Sequence, residues 1–147
     1  MSYGRIGVIG AMDSELAALI AALAQPARET VQGLTFHTGR LGAREVVLVR
    51  CGIGKVSAAR CTQVLIDRFA PTAVINTGIA GGLGAGLAVG DIVVADGLVQ
   101  HDFDAAPIGF VRGCLCMGDP GAPTVFTPDE PLSALLARTA GDAAGAQ

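Results

Sequence analysis

The chain has 147 residues, 51% of them apolar and 16% charged, with a formal net charge of −3. This excludes a disordered chain, and with no Lys/Arg run there is no electrostatic footprint for nucleic acid or a membrane surface. No apolar stretch reaches the roughly 20 residues that span a bilayer, and Met1-Ser2-Tyr3-Gly4-Arg5 leads directly into a strand pattern without a signal region, so the expected setting is cytoplasmic.

Arg5-Ile6-Gly7-Val8-Ile9-Gly10 is a short apolar run ending in glycine, the pattern of a buried parallel strand. Asp13 or Ser14 is suited to cap a following helix from about Glu15 to Ala24, with Leu16, Leu19, Ile20 and Leu23 at helical spacing. Two extended runs are expected near Leu34 to Arg40 and Glu45 to Cys51, joined by a hairpin turn at Leu41-Gly42-Ala43-Arg44. A second helix fits Ser57 to Phe69. Ala73 to Asn76 and Asp91 to Ala95 read as further strands, with extended structure continuing through Leu98 to His101. Residues 106 to 128 are rich in Gly and Pro and read as a loop, followed by a helix from Pro131 to about Thr139. Alternating strands and helices make the fold class α/β with a mixed sheet and flanking helices. Such a pattern calls for another strand after the last helix, so residues 1–147 are expected to form a single incomplete domain.

Two nucleotide-binding motifs fail on spacing. Gly52-Ile53-Gly54-Lys55 lacks a Walker glycine at Val49 and a hydroxyl at Val56. Gly4, Gly7 and Gly10 do not have the dinucleotide-binding spacing. Three glycine-rich turns remain: Gly10-Ala11-Met12, Cys51-Gly52-Ile53-Gly54 and Thr77-Gly78-Ile79-Ala80-Gly81-Gly82. Each follows an apolar strand, and in an open α/β sheet the carboxyl ends of strands are where ligands bind. Glu15, in the first turn of its helix, is the polar residue best placed for chemistry, although a first-turn carboxylate also serves the helix dipole. His101-Asp102-Phe103-Asp104 alternates as a strand would, with both aspartates on one side, and makes a poor metal site. The four cysteines lack zinc-site spacing, and Cys114 and Cys116 read as small residues in an extended loop.

In order and spacing these segments resemble the 5′-methylthioadenosine/S-adenosylhomocysteine nucleosidases. Ile9-Gly10-Ala11-Met12-Asp13-Ser14-Glu15 is similar to the opening Gly-Ala-Met-x-x-Glu segment of that family, and Cys51 to Val56 to its second loop. Asn76 to Gly82, Val89 to Val94 and Val99 to Asp104 complete a resemblance covering residues 5 to about 138. The glycine turns alone also suit the wider nucleoside phosphorylase superfamily. The resemblance implies a nucleoside phosphorylase-like three-layer fold with its carboxyl-terminal part missing. The implied activity is hydrolysis of the bond between adenine and ribose, in methionine salvage and the activated-methyl cycle. Glu15 would orient and deprotonate the attacking water and stabilise an oxocarbenium-like transition state. Ala11, Met12, Ile53, Ile79, Ala80 and Gly81 would line the ribose and water pocket, Ile79 standing where relatives often carry serine. Ile108 and Cys116 would complete the apolar 5′-thio pocket of the other subunit in a homodimer. No metal or organic cofactor is implied, and the partner is a small-molecule nucleoside.

Glu15 also bears on the choice between hydrolysis and phosphorolysis. A phosphate held about 4 Å from a carboxylate costs several kcal/mol in a partly buried site, and the three turns contain no arginine to offset it. In relatives the carboxyl-terminal region supplies the aspartate that protonates adenine, the residues that stack on the base, and the Met-Glu pair on the ribose hydroxyls. The 147-residue chain alone is therefore expected to turn over poorly. A futalosine hydrolase, a purine nucleoside phosphorylase relative, and a non-catalytic half-domain that dimerises or pairs with a second chain are the alternatives.

Overall fold

The computed structural model describes residues 3–115 and 119–145. Two compact units are present, Met1–Gly81 and Gly82–Gln147.

The first unit holds β1 (Ile6–Gly10), α1 (Asp13–Ala21), β2 (Ala24–Val31), β3 (Leu34–Leu41), β4 (Arg44–Arg50), α2 (Lys55–Phe69) and β5 (Ala73–Asn76). They form one mixed sheet of order β2-β3-β4-β1-β5. β1 runs parallel to both neighbours, with Gly10 opposite Arg50 and Ile9 opposite Asn76. β2, β3 and β4 pair antiparallel. Because successive strand side chains point to opposite faces, β4 serves two cores at once. Val46 and Leu48 pack with Val8, Leu16 and Leu23 on the α1 face. Val47 and Val49 pack with Ile9, Phe36, Cys61, Val64, Leu65 and Phe69 on the α2 face. Helix, sheet and helix thus form the three layers expected of an α/β chain. Val47, Leu48, Val49, Phe36 and Leu65 are fully buried, each such side chain contributing about 1.5–3 kcal/mol of transfer free energy.

The first helix begins two residues earlier than its sequence signals imply. Its cap is Met12, not Asp13 or Ser14. Glu15 at the third helical position accepts the Met12 N–H at 2.8 Å. This backward reach satisfies a donor that the helix leaves orphaned, so the cap needs no hydroxyl or carboxylate of its own. The helix also stops at Ala21, and Leu23 turns inward to a core position.

β2 has no counterpart in the sequence reading. Gln25, Arg28, Glu29 and Thr30 are polar, and Pro26 removes a ladder donor. The structure tolerates these residues because β2 is an edge strand with a register irregularity between Ala24 and Ala27. Its turn into β3 uses Gln32 and Gly33, both at positive φ (50° and 76°), the backbone demanded by a tight two-residue hairpin.

The second unit is mostly irregular. Leu98 and Phe126 make an isolated antiparallel bridge, their backbones exchanging hydrogen bonds of 3.0 and 2.9 Å. A short 3₁₀ turn covers Ala106–Ile108, and α3 spans Glu130–Gly145, longer than the periodicity implies. Asp129 caps α3, accepting the Leu132 N–H at 2.9 Å. The strand expected at residues 91–95 does not form. No described segment pairs with it, and Ile92 and Val93 are 64% and 68% exposed; an apolar run becomes a strand only when a neighbour takes its backbone donors and acceptors. His101 to Asp104 is likewise not a strand. Turn hydrogen bonds from His101 N–H to Val99 and from Phe103 N–H to Gln100 shape it instead. Among the described residues no helix is long and apolar enough to cross a membrane. Cys51, Cys61 and Cys114 are buried.

Candidate active site

The parallel trio β4-β1-β5 brings three glycine-rich turns to one edge of the sheet. Backbone hydrogen bonds lace them there. Cys51 N–H donates to the Gly10 carbonyl at 2.8 Å, and Thr77 N–H to the Ile9 carbonyl at 3.0 Å. The second turn needs glycine for its backbone: Gly52 and Gly54 lie at φ +83° and +102°, Gly54 serving as the cap of α2.

Glu15 spans two of these turns. Its Oε2 accepts the Met12 N–H at 2.8 Å, and its Oε1 accepts the Ile79 N–H at 3.0 Å. The side chain is partly exposed, so the carboxylate faces solvent while its orientation is set by main-chain donors. These donors stabilise the ionised form and hold its pKa below the ordinary value of 4.5. The Ile79 amide acts most strongly, followed by that of Met12, against a smaller opposing effect of burial. Four acceptor positions on the two oxygens leave room for a further donor such as water.

Asp13 and Arg50 also meet at this edge, Oδ1 to Nε at 3.1 Å. Arg50 is the last residue of β4, and its charge is matched here by the acidic residue that opens α1. Asp13, Arg50, Cys51 and Gly52 line a pocket of about 350 Å³ together with His37 and Arg28. A larger pocket of about 440 Å³ lies at the opposite, amino-terminal ends of β1 and β4. Its arginines are already engaged, Arg5 with Glu45 at 3.3 Å, Arg68 with Glu29 at 2.7 Å and Arg40 with the Ala43 carbonyl at 2.7 Å.

Of the residues expected to line the site, Ala11, Met12, Ile79, Ala80 and Gly81 belong to the first and third turns that Glu15 joins, and Ile53 to the second turn. The Ile53 and Ile79 side chains are each 79% exposed. Ile108 ends the 3₁₀ turn of the second unit and is exposed, while Cys116 lies outside the described residues. Sequence reasoning placed Met12 and Ile79 in the pocket lining, and in the structure it is their backbone amides that hold Glu15. Only the glycine flanking Ile79 hinted at such a close main-chain approach.

Comparison with known proteins agrees with this geometry. A model of the phosphorylase superfamily matches residues 5–146. The 5′-methylthioadenosine/S-adenosylhomocysteine nucleosidase of Shewanella pealeana is 42% identical over 130 residues, covering 88% of this chain and 55% of the relative. The crystal structure of S-adenosylhomocysteine nucleosidase from Streptococcus pyogenes, in complex with 5-methylthiotubericidin, superposes with a TM-score of 0.85 at 39% identity, over 94% of this chain and 57% of that one. The Colwellia psychrerythraea 5′-methylthioadenosine/S-adenosylhomocysteine nucleosidase in complex with adenine gives 0.85 at 42% identity, over 93% and 55%. Futalosine hydrolase of Helicobacter pylori gives 0.83 at 28% identity, over 95% and 58%. The chain therefore spans about half the length of the curated relatives it matches. A three-layer mixed sheet, glycine turns gathered at its parallel strand ends and a match along nearly the whole sequence lead to one conclusion: the chain belongs to the phosphorylase superfamily.

Proposed function

We propose that this chain carries the water-activating part of a nucleosidase that hydrolyses 5′-methylthioadenosine and S-adenosylhomocysteine, releasing adenine. One observation carries the reading: the Glu15 carboxylate is fixed between the Met12 and Ile79 amides at the carboxyl ends of parallel strands. An ionised carboxylate oriented in this way can accept a hydrogen bond from water and direct its oxygen toward the anomeric carbon. Its lowered pKa makes it a weak base, so its larger share in the barrier is electrostatic, stabilising positive charge that develops on the ribose ring. Ala11, Met12, Ile53, Ile79, Ala80 and Gly81 would surround ribose and water. The Arg50–Asp13 pair supports hydrolysis over phosphorolysis, since the arginine that leads into the second turn is already matched by a carboxylate. The same reading implies a cytoplasmic homodimer in methionine salvage, with Ile108 and Cys116 of one subunit completing the 5′-thio pocket of the other.

The test is adenine release from methylthioadenosine by the 147-residue chain and by the same chain fused to the carboxyl-terminal portion of the Colwellia relative. The fusion is expected to release adenine and free sugar with or without phosphate, and the short chain far less. Glu15→Gln should lower the fusion's rate by about 10²–10⁴-fold. A folded fusion that is inactive, indifferent to Glu15→Gln, or productive of ribose 1-phosphate would refute the reading. Because the futalosine hydrolase superposes almost as well, futalosine belongs beside methylthioadenosine in the assay; preferential turnover of futalosine would reassign the substrate.

A further inference from the structure

We propose that Gly78 is a positioning residue for Glu15: the missing side chain at position 78 leaves the space in which the carboxylate reaches both of its backbone donors. A Cβ built on Gly78 would stand 2.6 Å from Glu15 Oε1, 3.0 Å from its Cδ and 3.4 Å from its Oε2. Those three nearest atoms are all of one carboxyl group. Gly78 does not have positive φ, so alanine fits its backbone without strain. The conflict is therefore confined to the end of a flexible side chain, which can swing away at little cost to folding. It would then lose the Ile79 N–H that Oε1 accepts at 3.0 Å. The substitution thus separates the placing of the carboxylate from the stability of the fold. Gly7 shows the contrasting case, where the atoms in the way belong to the buried Leu65.

The inference rests on reading Glu15 as the reacting carboxylate, but its test uses no substrate, so it fails or stands apart from the enzymatic assay. The experiment is an NMR titration of the Glu15 carboxyl carbon and of the Met12 and Ile79 amides in the parent and in Gly78→Ala. Cys51, which is electrostatically linked to Glu15, stays neutral throughout because burial raises its pKa, and the neighbouring Asp13 is paired with Arg50. In the parent, Glu15 should titrate below 4.5 and both amides should follow it. In folded Gly78→Ala, its midpoint should rise toward the ordinary value, and the Ile79 amide should cease to follow. A folded variant with an unchanged Glu15 titration overturns the proposal. Should Gly78→Ala fail to fold, the same change in a Glu15→Ala background decides the matter. No further loss of stability there means that the substitution acts through the carboxyl group, and an equal loss means that Gly78 serves the backbone instead.

Discussion

Gly7 stands in β1, the strand flanked by β4 and β5, and its face of the sheet lies under α2. A Cβ at this position would come 2.7 Å from Leu65 Cδ2 and 3.4 and 3.5 Å from its Cγ and Cδ1. Leu65 has no exposed surface and is enclosed by the cluster that includes Phe36, Val47, Val49 and Phe69, so it cannot retreat without moving other buried groups. Overpacking of this kind costs about 1–3 kcal/mol. Replacing glycine by alanine also removes unfolded-state freedom, which returns about 0.4–1 kcal/mol where the backbone is compatible, as it is at Gly7. Taking the middle of both ranges, the net expectation for Gly7→Ala is a loss of roughly 1.3 kcal/mol, and with a urea slope of about 2 kcal/mol/M the midpoint falls by roughly 0.7 M. The chain has no tryptophan, so unfolding is best followed by far-ultraviolet circular dichroism. An unchanged or higher midpoint would refute the argument. So would an equal loss in a Leu65→Ala background, where the added methyl should instead fill space and be neutral or stabilising.

Three further outcomes follow from the same structure. The depressed pKa of Glu15 means that its contribution to stability is complete above the ordinary value of 4.5 and is lost as pH falls through the lower folded value. Urea midpoints of Glu15→Gln should therefore decline less on acidification below 4.5 than those of the parent, and parallel declines would contradict this. The Cys61 thiol is pushed up to about 11, chiefly by burial and then by Cys51. Alkylation mapped by mass spectrometry at mildly alkaline pH should spare Cys61 in the folded chain and modify it in urea, whereas rapid labelling of the folded chain would place the thiol outside the core. Stability tied to this thiol is present below 9.0 and lost as pH rises toward about 11. Glu29 joins Arg68 at 2.7 Å, but both side chains are about half exposed. Glu29→Ala should therefore cost no more than about 1 kcal/mol in urea unfolding, and a larger loss would show that the pair secures β2 to α2 more firmly than its exposure implies.

The parts of this protein legible in its sequence are those where local pattern and burial coincide. The apolar runs of β1, β4 and β5 end in glycine turns, and α2 carries Cys61, Val64, Leu65 and Phe69 at helical spacing, so strands, helix and turns were readable in order. Glu15 was readable for a similar reason, being a carboxylate one turn into the helix after the first glycine turn. The β3–β4 hairpin was marked by Gly42, which lies at φ +57°. β2 was not legible, because an edge strand buries little and tolerates Pro26 and charged residues that argue against strand in isolation. The segment at 91–95 misled in the opposite direction: its composition is that of a strand, yet a strand is defined by hydrogen bonds to a neighbour, which composition does not supply. The setting of Glu15 was likewise beyond the sequence. Its donors are the amides of Met12 and Ile79, and a backbone N–H looks the same whatever residue carries it. Only the packing of β4 and β5 on either side of β1, with no Cβ at Gly78, brings those amides to one carboxylate.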